Sequence, residues 1–228
     1  QAGLAPTQVA NPDLSWEETA QLDIGLSARL FSALDVQLNY YNKNTTALLL
    51  NVPYPFTTGF ASASRNVGEL RNRGFEISIN SENIKNANGF NWRTSFNIGF
   101  NKNTVISLPE NRDEDGRNFL SGGSVQRAIE GYSRNSFYLI RYNGINPQTG
   151  DAEWLAKDGS VVNSPTNAAN RVIVGKADPD FQGGITNIFT YKNFDLSAFF
   201  NFTYGNDVYI DGLTFTDNFG SGSYNKSI

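Results

Sequence analysis

The sequence predicts an all-β protein: an antiparallel arc of transmembrane β-barrel with about six membrane strands and long extracellular loops. Three observations predict it. Apolar and polar residues alternate with period two, every charge in the alternating windows falls on one side, and the connections between windows are either tight or very long. Of the 228 residues 39% are hydrophobic, 13% aromatic and only 18% charged. Ordinary soluble domains carry roughly 25% charge, and here Asn, Ser, Thr and Gly fill the difference.

The windows run in order along the chain. Ala20, Leu22, Ile24, Leu26, Ala28 and Leu30 alternate with Gln21, Asp23, Gly25, Ser27 and Arg29. After a break at 31–33, Leu34, Val36, Leu38 and Tyr40 oppose Asp35, Gln37, Asn39 and Tyr41. Phe75, Ile77 and Ile79 oppose Glu76, Ser78 and Asn80, and Trp92, Thr94, Phe96, Ile98 and Phe100 oppose Arg93, Ser95, Asn97, Gly99 and Asn101. A weaker fifth window runs from Phe181 through Ile185 and Phe189 to Tyr191. In the sixth, Phe194, Leu196, Ala198, Phe200, Phe202 and Tyr204 oppose Asp195, Ser197, Asn201 and Thr203.

The charges in these windows are Asp23, Arg29, Asp35, Glu76, Arg93 and Asp195, all on the polar side; chance would do this about 1 time in 64. A soluble β-sandwich also alternates. Long windows and aromatics near window ends (Tyr40, Trp92, Phe100, Tyr191, Tyr204) favour a barrel, its apolar side to lipid and its polar side to the lumen. The joints at 31–33, 82–90 and 191–194 are tight, whereas 50–67 and 106–180 are long, as periplasmic turns and extracellular loops are. Parity then requires 106–180 to cross the membrane an even number of times. Its polarity and its turn signals, from Pro109 and Asp115-Gly116 to Asn146-Pro147 and Pro165, make that number zero. Its length predicts small hairpins, with strands at 137–142 and 152–155.

Six crossing strands leave two open edges, and each unpaired backbone group in lipid costs several kcal/mol. Closure usually takes eight strands or more. Residues 1–228 are therefore expected to be part of a barrel domain that a longer polypeptide or partner chains complete.

The residue types also exclude chemistry. Without His or Cys there is no Ser-His-Asp triad, cysteine nucleophile, zinc finger or haem site. A net charge of −4 with no basic block argues against nucleic acid. Glu69 and Glu76 lie at or just before an alternating strand, with no sign of the raised pKa that glycoside hydrolysis needs. Asp113-Glu114-Asp115-Gly116 would require a carboxylate at Ser124 to make an EF-hand-like loop, and reads as a solvated loop, with an ion site of another type as the alternative. No enzyme, metal or cofactor is expected. Gly122-Gly123 and Gly183-Gly184 read as turn and strand-entry glycines, and Gly74 and Gly99 as bends or close packing against something in the lumen.

Five collinear segments carry a resemblance. Asn11-Pro-Asp-Leu-Ser-Trp-Glu17 resembles a signature of SusC/RagA-like TonB-dependent outer-membrane transporters. Asn66-Val-Gly-Glu-Leu-Arg-Asn-Arg-Gly-Phe-Glu76 is similar to that family's N-x-G-x-x-x-N-x-G-x-E segment, and Gly144-Ile-Asn-Pro-Gln-Thr-Gly-Asp151 to its G-x-x-P-x-T-G-D loop. Gly175-Lys-Ala-Asp-Pro-Asp-Phe-Gln-Gly-Gly184, then Tyr191-Lys-Asn-Phe-Asp-Leu-Ser197 with Tyr204-Gly-Asn-Asp207, resemble its late barrel strands. The resemblance implies a 22-stranded barrel in the outer membrane of a Gram-negative bacterium. It implies import of oligosaccharides or peptides with a SusD-like lid lipoprotein and with TonB. These residues would be the later part of the barrel, the plug and the TonB box lying outside them.

Aromatic faces stack on sugar rings and apolar peptide side chains, so Tyr54, Phe56, Phe60, Tyr132, Tyr138 and Trp154, in or beside the long connections, are the candidate substrate contacts. Packing within the hairpins or against the lid is the competing explanation. Asp23, Arg29, Asp35, Glu76, Arg93 and Asp195 are expected to face the lumen and, given the resemblance, the plug. Rival readings are a passive porin and a soluble carbohydrate-binding β-sandwich. If the register is right, Ile24→Arg impairs barrel assembly and Asp23→Asn does not, measured as the yield of folded protein in outer membranes.

Overall fold

The protein, described here by a computed structural model, is placed over residues 10–54, 57, 59–60, 62–113, 115–121, 123 and 125–213. Among these residues fifteen strands follow in chain order: β1 Glu18–Leu30, β2 Leu34–Thr46, β3 Leu49–Pro53, β4 Ser62–Asn66, β5 Glu69–Ala87, β6 Phe90–Ser107, β7 Phe119–Ser121, β8 Arg127–Ile129, β9 Ser136–Leu139, β10 Arg141–Ile145, β11 Ala152–Leu155, β12 Val161–Val162, β13 Val172–Lys176, β14 Phe181–Tyr191 and β15 Phe194–Tyr204. Six of them form one antiparallel sheet in the order β1-β2-β5-β6-β14-β15. These six contain the six alternating windows, and the sheet does not close on itself: β1 and β15 are each paired on one side.

Register makes the two faces. Opposed residues of an antiparallel pair share a face, so a single row can be followed across the sheet. Ile24 stands opposite Tyr40, Tyr40 opposite Phe75 and Phe75 opposite Phe100. The Phe100 ring lies 5.8 Å from Phe181, which is opposite Tyr204. Near the tight turns a second aromatic band joins Trp92 to Phe189 and Phe90 to Tyr191 and Phe194. Between the bands lie rows such as Ala28-Val36-Ile79-Phe96-Ile185-Phe200. Phe90 and Phe100 are ten residue steps apart along β6, roughly 33 Å of strand. A tilt of ~40° lowers this to roughly 25 Å, the height of the apolar band of an outer-membrane barrel.

Thr94 and Asn187 are polar residues on this apolar face, and they satisfy each other. Asn187 Oδ1 accepts from the Trp92 indole N–H at 3.0 Å and from the Thr94 hydroxyl at 2.7 Å. On the opposite face Asp23, Arg29, Asp35, Glu76, Arg93 and Asp195 all share the polar side by register.

The strands are longer than the windows read from alternation. The joint expected at 82–90 is only the pair 88–89, because β5 runs to Ala87 and β6 starts at Phe90. At the other end β5 begins at Glu69, well beyond the Phe75 row. There the apolar-side positions are Glu69, Arg71 and Arg73, so period-two hydrophobicity stops at the aromatic band while hydrogen bonding continues.

The remaining strands make small sheets, β3-β4, β7-β8, β13-β9 and β10-β11-β12. None joins the six-stranded sheet, and β7 to β13 all lie between β6 and β14. The single run expected over 137–142 is split at Ile140. Its first part pairs with β13 (Leu139 opposite Val172), its second with β11 (Arg141 opposite Leu155). The strand expected over 152–155 is β11.

The segments that carry the resemblance meet at joints of the fold. Asn11 donates to Ser64 O at 3.0 Å, Ser15 and Asn66 exchange two hydrogen bonds of 2.8 and 2.7 Å, and Glu17 accepts from the Leu49 amide at 2.8 Å. The chain entering β1 is thus strapped to the β3-β4 hairpin. In the Gly144–Asp151 turn, Asn146 Oδ1 accepts from the Gln148 and Thr149 amides while Gly150 takes φ +78°. Asp207 bonds Lys176 through backbone and carboxylate, and a Cβ at Gly175 would strike that carboxylate.

The strand glycines are packing positions. A Cβ at Gly74 would collide with the Phe100 carbonyl and the Tyr41 ring and hydroxyl, so Gly74 packs on its own sheet rather than on a lumenal partner. Gly183 and Gly184 lie inside β14 against Asn97, Phe202 and Phe199, not at a strand entry. Gly99 has only Glu76 Cγ, at 4.0 Å. In the intact protein Gly74→Ala is expected to destabilise by about 1–3 kcal/mol, as overpacking does, and Gly99→Ala to change stability little. Denaturant midpoints of the two variants check this.

Candidate functional site

The sheet carries almost no core of its own. Among the described residues the buried hydrophobics are Ala63, Val105, Ile129, Phe137 and Ala156, none between the aromatic bands. Leu22, Ile24, Leu26, Phe75, Leu196 and Phe200 are instead exposed along one continuous face. Apolar exposure on this scale marks a surface that another medium covers.

The polar face is the second half of the site. Gln21 donates to both Asp23 oxygens, at 3.0 and 2.8 Å. Arg29 and Asp35 are opposed at 3.7 Å, an exposed pair worth little by itself, and Arg29 also donates to Ser32 O. Arg93 stands opposite Glu82 on one side and Ile188 on the other, and Asp195 opposite Thr190. Glu76 lines a hollow of about 620 Å³ with Gln37, Asn97, Gln182, Asn201 and Phe199. The six charges are thus spread along the height of the sheet rather than gathered at one point.

Phe199 escaped the sequence reading. It occupies a polar-side position of β15 opposite Thr186, is 65% exposed, and has the Gly184 backbone beside its ring. An aromatic residue out of phase in an alternating strand was the available signal.

The loop aromatics form separate stations. Arg117 lies 5.3 Å from the centre of the Tyr132 ring and donates to its hydroxyl at 3.1 Å. Arg127 is held between Tyr138 and Phe119, 4.0 and 4.2 Å from the two ring centres. Trp154 packs edge-on against Tyr142 at 6.1 Å, across the β10-β11 hairpin. Tyr54 and Phe60 belong to the β3-β4 connection; Phe56 lies outside the described residues. No ring contact among the described residues joins Tyr132, Tyr138 and Trp154. Tyr142, exposed beside Trp154, was missed because its pairing is visible only when residues are counted across the Gly144–Asp151 turn.

Asp113 and Asp115 of the acidic loop are both paired. Asp113 accepts from the Asp115 and Arg117 amides and pairs with the Arg117 guanidinium at 3.1 Å, and Asp115 pairs with Arg117 and Lys157. Burial pushes the Asp113 carboxyl up, but the Arg117 amide and charge and the Asp115 amide together hold it below the usual carboxylate range. Glu114 lies outside the described residues. Among the described residues no three acidic side chains converge on a metal position.

An antiparallel sheet with two aromatic bands about a membrane's thickness apart, apolar on one face and polar on the other, is the wall of a transmembrane β-barrel. The comparisons specify the barrel. The family model for the TonB-dependent receptor-like β-barrel matches residues 2–225, and the chain belongs to that family. A TonB-dependent receptor of Formosa agariphila is 36% identical over 92% of this chain and 24% of its own length. The TonB-dependent receptor SusC of Bacteroides thetaiotaomicron is 33% identical over 90% of this chain and 21% of its own length. Among solved structures, the RagAB peptide transporter covers 96% of this chain and 24% of its own, with a TM-score of 0.82 and 29% identity. The chain therefore spans about a quarter or less of the curated relatives it matches. Proteins of this family are outer-membrane barrels.

Ile24 stands opposite Tyr40 in an aromatic row, whereas Ile79 stands between the two aromatic rows, opposite Val36 and Phe96, so Ile79→Arg is the stronger probe. Charge on the lipid face costs about 2–4 kcal/mol at the midplane and about 0–1 near the interface. Ile79→Arg, in the central row, is expected to lower assembly sharply, Ile24→Arg slightly and Asp23→Asn not at all, measured as heat-modifiable folded protein in outer membranes.

Proposed function

We propose that this chain forms one arc of the wall and part of the extracellular surface of an active importer in the outer membrane of a Gram-negative bacterium. The importer takes up oligosaccharides or peptides, works with a SusD-like lid lipoprotein and draws energy through TonB; it is a transporter and not an enzyme. The supporting observation is that the chain resembles SusC and the RagAB transporter over nine-tenths or more of its length, in a sheet whose faces and aromatic bands suit a membrane wall.

In this reading the apolar face meets lipid and Asp23, Arg29, Asp35, Glu76, Arg93 and Asp195 face the lumen and its plug. The 106–180 excursion meets substrate and lid. Its best substrate station is Trp154 with Tyr142, a half-buried ring beside an exposed one, offering area at small entropic loss. Tyr132 and Tyr138 already serve Arg117 and Arg127, and Tyr54, Phe56 and Phe60 border the neighbouring hairpin.

The test is uptake of labelled oligosaccharides and peptides by cells carrying the intact protein, with and without a protonophore. Uptake of one class is expected to stop when the proton-motive force is dissipated, and to fall several-fold in Trp154→Ala. Uptake that continues unchanged without the proton-motive force marks a passive porin and overturns the reading.

A further inference from the structure

One step beyond the aromatic band at the long-loop end, the apolar side changes character. Arg73 of β5 and Lys102 of β6 stand directly opposite each other, on the side that carries Phe75 and Phe100, and both are exposed. Like charges directly opposed destabilise a strand pair, and the acids nearby are already engaged. Glu69 is bonded by Arg71 and Asn44, and Asp180 is paired with Lys176. Among the described residues neither Arg73 nor Lys102 enters an ion pair or a side-chain hydrogen bond.

The two cations line a hollow of about 630 Å³ with Tyr40, Phe75, Phe100 and the Lys176-Asp180 pair. A second hollow of about 560 Å³ adjoins it on the membrane side, lined by Ile24, Leu26, Leu38 and Ile77, and shares Tyr40, Phe75 and Phe100. Opposed side chains start about 4.5–5.5 Å apart at Cβ, so both cations reach one oxyanion. The planar guanidinium suits phosphate oxygens in particular. With Lys176 cancelled by Asp180, the charged hollow holds two positive charges without counter-ions above a greasy slot.

We propose that this paired hollow binds a phosphorylated membrane lipid, its phosphate between Arg73 and Lys102 and an acyl chain in the slot below Tyr40, Phe75 and Phe100. The site relieves the opposed charges and anchors the rim of the wall in the leaflet on the long-loop side. It rests on the apolar face meeting lipid, not on what is transported.

The test uses the intact protein in mild detergent, with lipid A as probe in bisphosphorylated and dephosphorylated forms, binding being read by native mass spectrometry. The bisphosphorylated form is expected to bind about tenfold or more tightly than the dephosphorylated one, from charge-assisted hydrogen bonds. Arg73→Gln/Lys102→Gln is expected to erase that difference. Lys43→Gln is expected to keep it, since Lys43 neighbours Asn42, the residue opposite Arg73, and points to the other face. If the double variant does not assemble, Arg73→Gln and Lys102→Gln are each expected to lose several-fold. Equal binding of the two lipids by wild type, undiminished binding in the variants, or displacement by millimolar inorganic phosphate alone overturns the proposal. Loss of uptake with lipid binding intact bears on the transport reading only.

Discussion

In hydrocarbon there is no water to take up an unmade backbone hydrogen bond, so each amide of a spanning strand must find its partner on the next strand. That requirement holds β1, β2, β5, β6, β14 and β15 in one continuous ladder, and the ladder decides which side chains share a face. A slip of one residue would carry Arg93 or Asp195 from the polar side to the apolar side. Short joints at 31–33, 88–89 and 192–193 leave little freedom to slip. The two aromatic bands and the one-sided charges follow from that alignment.

The alignment needs close approach at particular places. Tyr41 lies over Gly74 while its hydroxyl donates to Asn101 at 3.0 Å, and Gly183 and Gly184 admit Phe202 and Phe199. At the long-loop end, β13 and the segment after β15 are tied through Lys176 and Asp207, and Phe137 faces Tyr209. Stability within this chain therefore comes from ladders and interlocks more than from a core, since both faces of the sheet are left for other material to cover.

Alternation disclosed all six strands of the sheet because one face is greasy and the other wet, and that contrast is written in residue type. It disclosed their bounds poorly for the same reason. Above the aromatic band Glu69, Arg71, Arg73 and Lys102 occupy the apolar side while Leu70 stands opposite the buried Val105, so Glu69–Gly74 and Lys102–Ser107 are paired strand without the greasy-and-wet contrast. The split at Ile140 depends on which partner each half meets, a tertiary choice absent from local sequence. Charged wall residues were legible from side alone. Loop aromatics were legible by type but not by company: Trp154 stood out, whereas Tyr142 beside it and Arg127 between two rings depend on hairpin geometry. The glycines were visible, but their crowding by Tyr41, Phe202 or Asp207 was not.

The upward extension of β5 and β6 has a mechanical meaning. From Phe75 back to Glu69 the strand continues for roughly 20 Å at ~3.3 Å per residue, about 15 Å in height at a tilt of ~40°. The sheet therefore rises past the greasy zone as a stiff, hydrogen-bonded collar, and the irregular connections start from its top. A solute approaching the long-loop side meets the collar's amides and charges before it reaches the depth of the lipid headgroups. Force applied at the tips is carried down a rigid lever to the ring of Tyr40, Phe75 and Phe100, where the collar meets the membrane.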